Sequence, residues 1–128
     1  MTHEEFVQKY VEIAKCALAW SEKSRREGVL ALQDDIDREK KKADDRDIFQ
    51  YGMRFVVNGF DREIIEKILS NIIGQEKDEN MRILKNIQKE AVLMIQEGIN
   101  PRLMYSVLNS YTDISLKEDV VIKEWIKN

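Results

Sequence analysis

Cysteine is almost absent. Cys16 stands alone, so no disulfide can form within the chain, and a reducing, intracellular setting fits. His3 is the single histidine; near the terminus, it makes a poor anchor for a metal or a catalytic pair. There is no basic excess: 21 Lys and Arg face 24 Asp and Glu, a net charge of −3, where a nucleic-acid binder would be basic. No uninterrupted apolar run approaches the roughly 20 residues that span a bilayer. Met1-Thr2-His3-Glu4-Glu5 is acidic where a secretory leader would be basic. No phosphate-cradling glycine loop, nucleophile elbow or paired-cysteine motif occurs. These absences give an enzyme nothing to stand on, and they imply no cofactor, no metal and no transmembrane segment.

What is present is charge and helical periodicity. At 128 residues the chain reads as one helical domain, 1–128. A chain near this size buries roughly two-thirds of its unfolded surface. Charged residues at 35%, with five Gly and one Pro, suit soluble helices with few interruptions.

Thr2 followed by Glu5 makes a capping box. Phe6, Tyr10, Ile13, Ala14, Ala17 and Leu18 follow at helical spacing, and Val7, Val11 and Trp20 widen the apolar face. Gly28 either ends this helix or loosens it; both remain open. Cys16, beside Trp20, reads as a packed thiol. The run from Asp34 to Asp47 holds only Ile36 and Ala43 as apolar residues, so it reads as a solvated connection or a frayed helix end. Asp34, Asp35 and Asp37 lack the ligand spacing and glycine of a calcium loop. Lys40, Lys41 and Lys42 are flanked by acids and read as a solvated stretch.

A helix over Ile48 to Val57 meets Gly59, suited to a left-handed cap, and Asp61, suited to an N-cap. Ile64, Ile65, Ile68, Leu69, Ile72 and Ile73 then mark one buried face, stopping at Gly74. A helix from about Met81 to Glu97 ends at Gly98. Asn100-Pro101 opens the next, with Leu103, Met104, Val107, Leu108 and Tyr111 apolar. Ser115 to Glu118 is a second capping box before Val121, Ile122, Trp125 and Ile126. The second helices of these corners carry too few cations to read DNA.

Two of these stretches echo each other. Phe55 to Leu69 aligns without gaps onto Met94 to Leu108, with Gly59 on Gly98, an offset of 98 − 59 = 39 residues. The capping residues and four apolar positions of the following helix match. A period near 40 is seen in helical-hairpin repeats, although any helix–Gly–cap–helix corner would look similar. The expected fold is all-α: a compact irregular bundle of five or six helices with helix–Gly–helix corners, two related hairpins among them.

Residues 21 to 73 carry a more specific pattern. Ser24-Arg25-Arg26-Glu27-Gly28-Val29-Leu30-Ala31-Leu32-Gln33 precedes a charged segment. Gly52-Met53-Arg54-Phe55-Val56-Val57-Asn58-Gly59-Phe60-Asp61-Arg62-Glu63-Ile64-Ile65 follows it. In order and spacing the two stretches resemble the cytoplasmic region of the flagellar stator family MotA. There a segment like A-R-R-E-G-L-L-A-L-E is followed by a variable loop and G-x-x-L-V-V-D-G-x-D-P-E-x-I. The resemblance covers a little under half of the chain. It implies a torque-generating region whose charged residues face the rotor protein FliG. By position the rotor-facing arginine is Arg25, and the rotor-facing glutamate falls on Gln33, which has no charge; Asp34 and Asp35 follow directly. The family's membrane helices have no counterpart here. After Ile73 the chain runs into Asp78-Glu79-Asn80-Met81-Arg82, a soluble helix start, so the resemblance extends to docking and not to ion conduction.

The expectation is a non-enzymatic interaction module, cytoplasmic and peripheral at the flagellar motor. It would dock on FliG or another motor component through Arg25, Arg26, Glu27, Gln33, Asp34 and Asp35. A helix end could equally explain the arginines, since cations there favour the dipole by about 0.3–1 kcal/mol. The alternative is a structural adaptor that forms homo-oligomers through apolar helix faces. Its motivation is the half-apolar first helix with Trp20, Phe60 and Trp125.

Overall fold

The computed structural model describes residues 1–39 and 47–112. The second capping box and the helix expected after it lie outside the described residues, as do Lys40, Lys41 and Lys42. The described residues are all-α, without a strand. The elements are α1 (His3–Glu27), a 3-10 turn (Val29–Leu32), α2 (Gln33–Glu39), α3 (Asp47–Val57), α4 (Arg62–Ile73), α5 (Glu79–Glu97) and α6 (Pro101–Asn109).

Helix α1 starts where its cap requires. Thr2 Oγ1 accepts from the Glu5 N–H at 3.1 Å, and the Thr2 N–H donates to Glu5 Oε1 at 3.0 Å. These bonds to Thr2 hold the Glu5 carboxyl below its ordinary range. The apolar face buries Tyr10, Ile13, Ala14, Ala17, Leu18 and Trp20. Trp20 is therefore core, tilted against Phe49 at 5.0 Å between centroids, and not part of an apolar face open to a second copy. Cys16 is half-buried and packs against the same core.

Helix α5 is the hub. Helices α3 and α4 pack on each other and on α5, while α1 and α6 pack on each other and on α5. Five consecutive residues of α5, Ala91 to Ile95, are buried, as expected of a helix surrounded by neighbours. Gln88 lies in the same interior, fully buried. Its Oε1 accepts the Phe49 N–H at 3.0 Å, one of the donors that the start of α3 leaves unsatisfied. Gly52 lets α3 come close: a Cβ there would lie 2.7 Å from both methyls of Val92 and 3.1 Å from Leu69 Cδ1.

The two related corners close alike. The Gly59 N–H donates to Val56 O at 3.1 Å and the Phe60 N–H to Phe55 O at 3.0 Å. The Gly98 N–H donates to Ile95 O at 3.1 Å and the Ile99 N–H to Met94 O at 3.0 Å. Both glycines have positive φ, 83° and 73°, the Schellman geometry. The capping differs: Asn100 Oδ1 accepts from the Arg102 N–H at 2.8 Å, whereas Asp61 makes no side-chain cap bond. The four matched apolar positions also divide alike. Ile65, Leu69, Met104 and Leu108 are buried; Ile64 and Leu103, each in the first turn, are exposed at 48% and 55%. The corners adjoin: Gln96 Nε2 donates to Phe60 O at 2.9 Å, and Arg62 pairs with Glu97.

Of the two readings of the charged stretch, a solvated connection or a helix end, residues 33–39 are helix. Leu32 and Ile36, four residues apart, are both fully buried. Burying each side chain is worth about 1.5–3 kcal/mol, enough to draw a charged segment down onto α3 and the 3-10 turn.

Candidate functional site

Gly28 decides where the charged residues sit. Its φ of 88° and ψ of 156° fall in a region open essentially to glycine alone. Helix α1 therefore ends at Glu27, and the chain turns through the 3-10 segment into α2. The corner sets the C-terminus of α1 beside the N-terminus of α2. Arg25 and Arg26 lie at the first and Asp34 and Asp35 at the second, each sign where the helix dipole favours it.

Arg25, Arg26, Glu27, Gln33 and Asp34 are exposed. Arg26 Nε lies 3.9 Å from Glu22 Oε1, an exposed i,i+4 pair of small energetic weight. Asp35 differs. Its side chain is 15% exposed; Lys23 Nζ donates to Oδ2 at 2.7 Å and Arg38 Nη2 to Oδ1 at 2.6 Å. The Lys23 bond crosses from α1 to α2, so Asp35 braces the corner and both its oxygens are engaged within the chain.

Gln33 faces a second feature. Its Nε2 donates to Asp37 Oδ1 at 3.2 Å. With Arg54 of α3 and Asn58, the residue just after that helix, these two residues line a cleft of about 160 Å³. Arg54 and Asn58 are four apart and share a side of α3 with Gln50, which is buried with its Oε1 unpartnered among the described residues. Arg54 and Asn58 give the cleft a polar wall.

A larger groove, about 340 Å³, is lined by His3, Phe6, Asn80, Ile83, Tyr111 and Thr112. Burial, then the nearby Glu90, raises the Tyr111 hydroxyl above its ordinary range. Among the described residues, no group of three or more His, Cys, Asp or Glu side chains is placed to hold a metal ion. Among the described residues, no helix is long and apolar enough to cross a membrane.

Arg54, Asn58 and the Lys23–Asp35 brace went unmarked in the sequence reading. Lys23 and Asp35 are twelve residues apart, and no local pattern joins them. A trace of the cleft was available: polar Gln50, Arg54 and Asn58 recur every four residues on a helix otherwise rich in apolar ones. The chain matches no family model, no curated protein and no solved structure.

Proposed function

We propose that the chain is a non-enzymatic docking module of the flagellar motor, acting at the cytoplasmic face and presenting its charged corner to the rotor protein FliG. The supporting observation is that Arg25, Arg26, Glu27, Gln33 and Asp34 are all exposed on one corner, fixed by Gly28 and by the bond between Lys23 and Asp35. The partner is the one that the MotA resemblance names. Asp35 acts as brace, and the negative contact falls to Asp34, beside the uncharged Gln33.

The mechanism is electrostatic. A partner carboxylate approaches the two guanidinium groups, and a partner cation approaches Asp34. Exposed pairs are worth about 0.2–1 kcal/mol each. Two arginine contacts then supply about 0.4–2 kcal/mol, roughly two- to thirtyfold in affinity, screened by salt. Such a contact is transient, as suits a partner that moves past. Reversing Arg25 and Arg26 to glutamate should weaken capture of FliG and leave the melting temperature nearly unchanged. Undiminished capture by a folded variant would remove the reading.

A second reading, self-association, is favoured by Phe60, Ile64 and Leu103, exposed at 41%, 48% and 55% on the two adjoining corners. Sedimentation at several concentrations discriminates, because a strict monomer eliminates it.

A further inference from the structure

We propose that the cleft between α2 and α3 seats a pair of oppositely charged side chains from a protein partner, its carboxylate on Arg54 and its cation on Asp37. This deepens the docking reading and rests on it for the class of partner. Arg54 and Asp37 line the same cleft of about 160 Å³, yet no ion pair joins them among the described residues. A space of this size has room for the tips of two side chains.

The two charges are held apart by their own helices. Ile36, next to Asp37, and Met53, next to Arg54, are fully buried, so the backbone on both walls is anchored. Gln33 Nε2 further restrains the Asp37 carboxylate. Arg54, half-buried, keeps a planar fork of donors that fits a carboxylate in bidentate fashion. The Asn58 amide adds donors and an acceptor beside it.

Charge complementarity selects the occupant. A lone carboxylate on Arg54 meets repulsion from Asp37, and a lone cation on Asp37 meets repulsion from Arg54. A partner helix with an acid and a base on one face satisfies both, because side chains four residues apart are neighbours. Gln33 belongs both to this cleft and to the charged corner, so one partner surface can cover the two together.

The test uses the full chain, isotope-labelled, and an alanine-based helical peptide carrying one Glu and one Lys four residues apart. At low salt the paired peptide should shift the side-chain amide resonances of Gln33 and Asn58 in a saturable way. Peptides with Glu or Lys alone replaced by Gln should bind about threefold or more weakly. Arg54→Gln and Asp37→Asn should each abolish the preference for the paired peptide, with the backbone spectrum otherwise retained. The absence of shifts at Gln33 and Asn58 up to concentrations on the order of 10 mM, or equal binding of a single-charge peptide, overturns the proposal. The peptide test involves neither FliG nor Arg25 and Arg26. Its failure therefore leaves the corner reading intact, and failure of the arginine reversal leaves the cleft intact.

Discussion

Substituting Gly28 probes the corner more sharply than changing its charges. A Cβ added there meets nothing within 4 Å, so the entire penalty is backbone strain. Holding a non-glycine residue at φ 88° and ψ 156° costs about 1–3 kcal/mol. Alanine narrows the unfolded ensemble and returns about 0.4–1 kcal/mol. The net loss for Gly28→Ala is then about 0–2.6 kcal/mol. At about 4 °C per kcal/mol for a chain of this length, melting falls by up to roughly 10 °C. Gly98 supplies the control. It too has open space around it, but its φ of 73° and ψ of 30° are left-handed helical, a region that asparagine visits at little cost. Gly98→Asn should melt close to the parent chain, and Gly28→Asn should not. Thermal unfolding followed by far-UV circular dichroism makes the comparison. Equal tolerance of asparagine at the two positions would refute the geometry assigned to Gly28, and with it the rigid placing of Arg25 and Arg26 against Asp34.

Two further outcomes follow from other parts of the fold. Gly52→Ala adds a methyl 2.7 Å from both Val92 methyls, and valine is stiff at χ1; overpacking costs about 1–3 kcal/mol against about 1 kcal/mol of gained helix propensity. Urea unfolding should show a net loss of up to about 2 kcal/mol, recovered in part by Gly52→Ala with Val92→Ala. The Glu76 carboxyl is held below its ordinary range by Lys85, which donates to Oε1 at 2.7 Å, and by the Asp78 N–H. A depressed carboxylate stabilises the fold above its unfolded pKa and ceases to do so as pH falls through its folded one. The parent chain should therefore melt above Glu76→Gln at neutral pH, and the gap should close as pH drops below the usual carboxylate range; a constant gap would contradict the pairing.

The helix ends were legible because they are local. Thr2 with Glu5, the Gly59 and Gly98 corners, and Asn100 before Pro101 each announce a boundary through one or two residues. Helix α2 was not legible, because Asp34, Asp35, Asp37, Arg38 and Glu39 conceal the single buried pair Leu32 and Ile36. Periodicity also overstated burial at Ile64 and Leu103, which lie on the correct side of their helices but in first turns that their neighbours do not cover. Gln88 stands at core spacing between Leu84 and Ala91, and only the start of α3 beside it shows why a polar side chain belongs there. In the charged corner the residue types and their order were readable. Which carboxylate is consumed inside the chain was not, since the Lys23–Asp35 bond depends on how α2 folds back on α1. The cleft with Arg54 joins α2 to α3 across the segment 40–46, and no sequence pattern spans that distance.

The most direct measurement is the affinity of the full chain for FliG by calorimetric titration at low and moderate salt, compared between the parent and the Arg25→Glu, Arg26→Glu variant. Parent binding should weaken as salt rises, and the variant should bind roughly two- to thirtyfold more weakly at low salt with an unaltered melting temperature. Binding indifferent to both salt and the reversal, or no binding by the parent at low salt, would contradict the docking reading.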